Sequence, residues 1–515
     1  MQLTLLHWLL AFAPIAILMV GILALKWEAA KVGSVSLLAA AAIAFFVFGA
    51  DGPMLAMASA KGLGLALYVA LIIWGAVLLY NIAEGAGAIK VISRTMSALS
   101  SDPLTQILLL SWCFAPVLQG LAGFGVPVAV VAPILVSMGF QPLVAVSACL
   151  IGHSWSISFG SMGSSYNSIQ LVTGIEGSVI GPCMAVIFWV AIFATGFGVA
   201  HIHSGFKGVR AAAPKIATAG AAMAAGLYGM NLAGLAQLST LTAGILGCAV
   251  MIGWTLREKR GAPASGGKGE MPLIKAAAPY LTLVGLSILS QIGPIKSALK
   301  GLAWGLDYPA FVTGQGYAVA AANQYSKISW FAHPAPILLV SALVGMALYR
   351  TSMPAIKKAA SGTVKRCIPM CVGIMTMVMM ALIMSDMGLT NMIARGVAAV
   401  MGTFYPLAAP FIGVLGSFIT GSNTNSNIMF GVLQTETAGI IGVSPVLMAA
   451  AQSVGGSLGV SMAISTIMMG SANVGLAGQE SSVMAKTIRY CLLSAALVGI
   501  FVFILARVGL FSGGM

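Results

Sequence analysis

Gly416-Ser417-Phe418-Ile419-Thr420-Gly421-Ser422-Asn423-Thr424-Asn425-Ser426-Asn427 is a run of small hydroxyl and amide residues in a chain that is otherwise mostly hydrocarbon. Apolar segments precede it (405–415) and follow it (428–433, then 445–468). A bilayer offers no water to polar groups, so irregular polar backbone is tolerated there only where it lines a cavity or is buried in protein. Two readings are open: a loop that reaches water between two helices, or a membrane helix that opens around a ligand. A second, related stretch favours the opened helix.

That relative runs from Gly120 to Ser165 and begins Gly120-Leu121-Ala122-Gly123-Phe124-Gly125-Val126-Pro127-Val128-Ala129. A shift of 303 positions brings Gly139 onto Gly442, Pro142 onto Pro445, Ala148 onto Ala451, Gly152 onto Gly455, Ser154 onto Ser457 and Ser158 onto Ser461. Each copy, 120–165 and 416–470, reads as an interrupted helix, a Gly-x-x-Pro turn and a small-residue helix broken by Gly and Ser. Interrupted hydrophobic segments at corresponding positions of two halves are the best sequence pointer to a transporter's substrate site.

The rest of the chain suits that reading. Hydrophobic residues are 59% of the 515 and charged residues 7%, against about 25% charged in soluble proteins, so this is a polytopic membrane protein. Its 62 glycines suit close helix packing in lipid. The net charge of +14 lies in short clusters, as the positive-inside rule requires, and not in a nucleic-acid-binding patch. The seven cysteines are scattered singly, with no CxxC pair or His/Cys cluster, so neither metal nor cofactor is expected. The apolar segment 3–25 has no basic residue before Lys26, the reverse of a signal peptide, so a retained first helix is expected.

Segments near the roughly 20 apolar residues needed to cross a bilayer are read at 4–25, 33–50, 63–83, 104–120, 121–138, 141–163, 178–202, 216–235 and 238–256. The second half gives 274–292, 335–350, 367–385, 405–419, 421–440, 445–469 and 487–509, with 121–138 and 421–440 the foremost candidates for re-entrant hairpins. A polar stretch, 257–273, separates a first transmembrane half (1–256) from a second (274–515). The clusters Lys207/Arg210/Lys215, 257–275 and Arg350/Lys357/Lys358/Lys365/Arg366 are assigned to the cytoplasm. The near-neutral loop 293–333, with Trp304, Tyr308, Tyr317, Tyr325 and Trp330, is assigned outside. The first motif is then entered from the inside and the second from the outside. The expected fold is an all-α polytopic membrane protein with two inverted-topology repeats, built on broken helices or re-entrant hairpins.

Neither motif contains Arg or Lys. A small anion there would be held by helix N-termini, which carry partial positive charge and free N–H groups, and by hydroxyl and amide donors. The candidate binding residues are Gly123, Gly125, Ser154, Ser158, Ser422, Asn423, Thr424, Asn425, Ser426, Asn427 and Gln452, and Gln119 is a further donor. Ionisable groups at membrane depth are functional candidates by default. His153, in Gly152-His153-Ser154-Trp155, is a candidate proton carrier or a hydrogen-bonded packing histidine. Asp386 and Glu436 are further proton-coupling candidates, with interfacial positions as their plainer reading. No GxSxG or HExxH occurs, and Gly314-Gln315-Gly316 lacks the third glycine of a dinucleotide fingerprint, so no enzyme is expected.

At these residues the chain resembles the lactate permease family of bacterial secondary transporters. The segment 120–129 is similar to the family's Gly-x-Ala-Gly-Phe-Gly-x-Pro-Val-Ala. Thr420–Asn427, followed by Phe430-Gly431 and Leu433-Gln434, is similar to its second signature. Ala451-Gln452, Gly455-Gly456 and Val474-Gly475-Leu476-x-Gly478-x-Glu480 continue it. The resemblance implies uptake of L-lactate or a related 2-hydroxymonocarboxylate such as glycolate, in symport with protons, across the bacterial inner membrane. It also implies a transport domain that moves against a scaffold. Two departures fall inside the candidate site. Gly152-His153-Ser154-Trp155-Ser156 stands where the family has an Asn-Thr-Ala-Pro-like stretch, and 461–466 lacks the family's proline or lysine. Sodium coupling of another small organic anion and a passive anion channel therefore stay open beside proton symport.

Overall fold

The computed structural model describes residues 4–511, except 26, 98, 122, 124, 259–270, 291, 293, 296–298, 300–302, 330–332 and 477–478. The linker 257–273 thus lies largely outside the described residues. The first half gives α1 (Leu5–Leu23), α2 (Ala29–Phe46), α3 (Gly52–Gly85), α4 (Ala88–Ser97) and α5 (Pro103–Leu121, wound as a π-helix over Leu109–Phe114). It continues with α6 (Val126–Ser137), α7 (Pro142–His153), α8 (Gly160–Thr173), α9 (Gly177–Leu232) and α10 (Ser239–Arg257). The second gives α11 (Leu273–Leu289), α12 (Pro334–Leu348), α13 (Met353–Asp386), α14 (Leu389–Met401), α15 (Tyr405–Thr420), α16 (Asn423–Ile441), α17 (Pro445–Gly459), α18 (Ile464–Ala472) and α19 (Glu480–Val508). Among the described residues, eight helices are long and apolar enough to cross a membrane, or up to ten if each of two bent helix pairs counts as one span.

Local chemistry sets the ends. Asp51 and Asp102 cap α3 and α5 through Met54 N and Thr105 N, each followed by proline in the first turn, where the missing N–H costs nothing. The 303-residue shift is written in the backbone. Gly139 and Gly442 both take the left-handed conformation after α6 and α16. Pro142 and Pro445 open α7 and α17, and each helix passes through a 3₁₀ turn (Ser154–Ser156, Val460–Met462) into a bent partner, by 52° and 40°.

The helices sort into two bundles. One core is shared by α5–α10 and α15–α19, with Trp112, Trp155, Phe159, Phe188 and Tyr405 among its buried side chains. Helices form its backbone-to-backbone contacts where glycine allows. A Cβ on Gly455 would lie 1.9 Å from Pro410 O, and one on Gly413 would lie 2.2 Å from Gln452 O, so α15 and α17 touch main chain to main chain. The other bundle is α1–α4 with α11–α14. It meets the first at the motif breaks, through Leu121, Val126 and Met162 on one copy and Ile419, Ile428 and Met429 on the other.

The spans 178–202 and 216–235 are two helices, as expected: α9 folds back on itself at Ser204–Gly205, and its halves pack together through Trp189 Nε1, which donates to Ala224 O (3.2 Å), and the Trp189 and Tyr228 rings. Some other expectations need correction. Lys215 is not a free loop cation but lies in the second half of α9, where its Nζ donates to Thr105 Oγ1 (2.7 Å) and Glu258 Oε2 (3.0 Å). The spans at 63–83 and 367–385 are parts of 34-residue helices, α3 and α13. Each is about 50 Å long, so the basic cluster Lys357/Lys358/Lys365/Arg366 rides on a helix, not in a loop. The all-α description fits the membrane part, but the loop 293–333 carries two small antiparallel pairings, Ala303–Tyr308 with Ala322–Ser329 and Phe311–Val312 with Ala318–Val319. Aromatic and branched residues such as Trp304, Tyr325 and Ile328 favour strands where edge groups can reach water.

Candidate binding site

The two motif breaks face each other. At the first, α5 ends at Leu121 and α6 starts after Gly125, with Gly123 and Gly125 both at positive φ (+62°, +80°). The space matters as much as the angle: a Cβ on Gly123 would lie 1.6 Å from Ser161 Oγ, and one on Gly125 2.4 Å from Met469 Sδ. At the second, Gly421 turns left-handed (φ +71°) and Ser422 caps α16 by accepting from Asn425 N. Beside them Ser161, Met162 and Gly163 are three successive left-handed residues, so the regular part of α8 begins at Ser164. Non-glycine residues held there cost about 1–3 kcal/mol each and cluster at functional sites.

Hydrogen bonds stitch the copies together. Asn423 Nδ2 donates to Ser158 Oγ (2.9 Å), and Ser158 Oγ donates to Ser453 O (2.9 Å). Asn427 Nδ2 donates to Ser165 O (2.9 Å) and Ser453 Oγ (3.0 Å), while the hydroxyls of Ser165 and Thr424 pair at 3.0 Å. Ser457 Oγ, which accepts from Ile157 N (3.1 Å), donates to Ser154 O (2.5 Å), linking residues 303 apart. Gln452 Nε2 donates to Ser426 O and Oγ, and its Oε1 accepts from Gln434 Nε2 (2.9 Å). Because Ser165 O can only accept, the Asn427 amide orientation is fixed. Its Oδ1, like those of Asn423 and Asn425, is buried without a donor.

These breaks enclose a cavity of about 310 Å³, near the lower end for small-molecule sites. Four helix starts open on it: Gly125 before α6, Ser164 and Ser165 of α8, Ser422–Asn425 of α16, and Ser465 and Thr466 of α18. Gln119 and Ser161 add polar groups, and Ile73 of α3 with Arg366, Met370 and Ile374 of α13 form the facing wall. Among the described residues, no Asp or Glu lines it.

Of the residues singled out in the sequence, Gly125, His153, Ser422, Asn423, Thr424 and Asn425 line the cavity. Gly123, Ser154, Ser158, Ser426, Asn427 and Gln452 stand behind the wall and hold it. His153 is buried, with Nδ1 2.6 Å from Cys149 O. A carbonyl only accepts, so Nδ1 carries the proton and Nε2 is left as the basic lone pair. Asp386 and Glu436 lie elsewhere. Asp386 is buried against Lys61 Nζ (2.8 Å), 20 residues and about 30 Å along α13 from Arg366. Glu436 accepts from Asn391 Nδ2 (2.6 Å) and Tyr317 OH (3.3 Å). Arg366 was hidden in a basic cluster. Its sign was the spacing Arg366, Met370, Ile374, one face of a helix at i, i+4, i+8.

Comparison with known proteins agrees with this architecture. The profile of the L-lactate permease family matches residues 7–509. An L-lactate permease of Salmonella typhimurium is 29% identical over 472 residues, covering 84% of this chain and 83% of the relative. A glycolate permease, GlcA, of Escherichia coli is 28% identical over 551 aligned positions, covering 97% and 96%. The solved structure of Neisseria gonorrhoeae MtrF, of a class of antimetabolite efflux pumps, matches with a TM-score of 0.50 at 13% identity over 94% of this chain and 96% of that one, a likeness of fold alone. With a profile match over nearly its whole length, the chain belongs to the L-lactate permease family, as a multi-pass permease of the bacterial inner membrane.

Proposed function

We propose that the protein imports L-lactate or a related small 2-hydroxymonocarboxylate such as glycolate in symport with protons. The observation that carries this reading is the convergence of four helix starts on one small cavity with no carboxylate among the described residues of its lining. Helix N-termini stabilise anions through free N–H groups and partial positive charge. A 2-hydroxy acid also brings a hydroxyl, which the polar side chains of Ser422 and Asn425 at the cavity wall can pair with. The names of the relatives supply lactate and glycolate. His153 is the one cavity residue with an ordinary pKa near neutrality, and its Nε2 is the proposed proton acceptor.

The cavity lies between the two bundles, which supports alternating access of the elevator type: the bundle carrying the breaks slides against α1–α4 and α11–α14. The matched backbone elements at a 303-residue shift support two related halves, 1–256 and 274–515. Their proposed inverted relation rests on the distribution of basic residues. The unpaired amide oxygens of Asn423, Asn425 and Asn427 favour one second reading, sodium in place of the proton, because such oxygens suit hard cations.

The test is uptake of labelled L-lactate and glycolate by proteoliposomes with an imposed proton gradient and no sodium. The expected result is accumulation that an uncoupler collapses, and that loses its dependence on outside pH in His153→Gln. Accumulation driven only by sodium would replace the proton. Equilibration without accumulation would make the protein a channel, and no flux of either acid through folded protein would remove the substrate assignment.

A further inference from the structure

We propose that Arg366 is the specificity-determining residue for the substrate's carboxylate, an inference that rests on the transport reading above. Every other polar group of the cavity comes from the bundle that carries the breaks; Arg366 comes from α13 of the facing bundle. It shares one helix face with Met370 and Ile374, and together with Ile73 these make an otherwise apolar wall. Arg366 is half-buried and lines the cavity. A planar, permanently charged fork suits a carboxylate bidentately, where a lysine ammonium offers only a point charge. The helix starts favour an anion diffusely; Arg366 adds the single full positive charge.

Arg366 already has a protein partner in this structure, and an arriving carboxylate exchanges for it. Its charge acts on Tyr80, whose hydroxyl donates to Glu84 Oε1 (2.8 Å), which puts Arg366 between the cavity and the α3 end that carries Glu84. That is the side of Lys357, Lys358 and Lys365, the inner face by charge. Arg366 therefore stands where a carboxylate leaves the cavity for the cytoplasm. Because it belongs to the facing bundle, its contact with the anion is made while the cavity lies beside it and is broken when the bundle carrying the breaks slides away.

The experiment compares full-length wild type, Arg366→Gln and Arg366→Lys in proteoliposomes. It measures KM and Vmax for L-lactate, glycolate and pyruvate, with the neutral lactamide as competitor. Loss of one charge-assisted contact predicts a KM raised about 10- to 100-fold in Arg366→Gln, with Vmax changed far less. Arg366→Lys, which keeps the charge but not the fork, recovers part of the affinity, and lactamide competes equally in all three proteins. An unchanged KM in Arg366→Gln alongside wild-type lactate uptake overturns the inference and leaves the transport reading standing. If wild type accumulates pyruvate but neither hydroxy acid, and Arg366→Gln raises that KM, the inference stands and the hydroxy-acid assignment falls. Equal loss in the Gln and Lys variants, or lactamide competition that weakens in parallel with lactate, assigns Arg366 a structural role and overturns the inference.

Discussion

Asn423→Ala is expected to lower lactate uptake by about two orders of magnitude in protein that still folds. Asn423 is 2% exposed and sits in the first turn of α16 at the cavity wall. Its Nδ2 bond to Ser158 Oγ joins the two breaks, and Ser158 passes the link on to Ser453 of α17. Alanine removes that donor. Losing that buried hydrogen bond at about 1–3 kcal/mol corresponds to roughly 5- to 150-fold at the site it shapes. Global stability suffers less, because Asn427, Ser165 and Ser457 still cross-link the copies. Asn423→Asp, which keeps the shape but brings a negative charge to an anion cavity, is expected to be no better. Gly456→Ala should resemble both, since its Cβ would lie 2.1 Å from Asn423 Oδ1 and push the amide out of place. Normal uptake in all three variants would place the substrate elsewhere.

The second large effect is on stability. Lys61 and Asp386 join α3 to α13 by a bond of 2.8 Å, with Lys61 3% and Asp386 9% exposed. The Lys61 ammonium also stands 5.6–5.8 Å from the ring centres of Tyr308, Phe311 and Tyr325, on the strands of the long loop. Asp386→Ala leaves that cation buried with only aromatic faces for company, and such a broken pair costs about 3–5 kcal/mol. Lys61→Ala strands the carboxylate at comparable cost. The double variant Lys61→Met/Asp386→Leu buries no charge and should regain most of the loss. Thermal unfolding of detergent-solubilised protein measures this: the single variants should unfold at clearly lower temperature than wild type, and the double variant should lie close to it. Asp386→Asn should keep the wild-type dependence of uptake on pH, because its carboxylate is far from the cavity. A stable Asp386→Asn protein with a flattened pH profile would instead return Asp386 to the proton path.

What the sequence revealed depended on whether the signal was local. Small polar residues at 420–427 stood out because hydrocarbon gives them no cheap alternative to a lined cavity. The left-handed turns at Gly125 and Gly421 and the shared Pro142/Pro445 starts were legible for the same reason: each is a short-range constraint. The Lys61–Asp386 pair joins residues 325 apart, and no pattern along the chain announces it. Lys215 looked like a loop cation because its partners, Thr105 and Glu258, are likewise remote in sequence. Arg366 was masked by Lys357, Lys358 and Lys365, which made a cavity-lining arginine look like one more inner-face charge. The strands at 303–329 escaped because the loop is near neutral and too short of regular alternation to declare itself.

Thiol protection reports on whether a small carboxylate binds in the cavity between the two breaks. Ser465 lines that cavity at the start of α18 and is exposed, whereas all seven native cysteines are buried. In Ser465→Cys, a small water-soluble thiol reagent should therefore modify the new thiol against a low background. The account predicts that L-lactate or glycolate slows this modification in a saturable way, at concentrations matching the KM for uptake, and that the protection is lost when Asn423→Ala is added. Undiminished labelling in the presence of saturating substrate, in a protein that still transports it, would contradict the account.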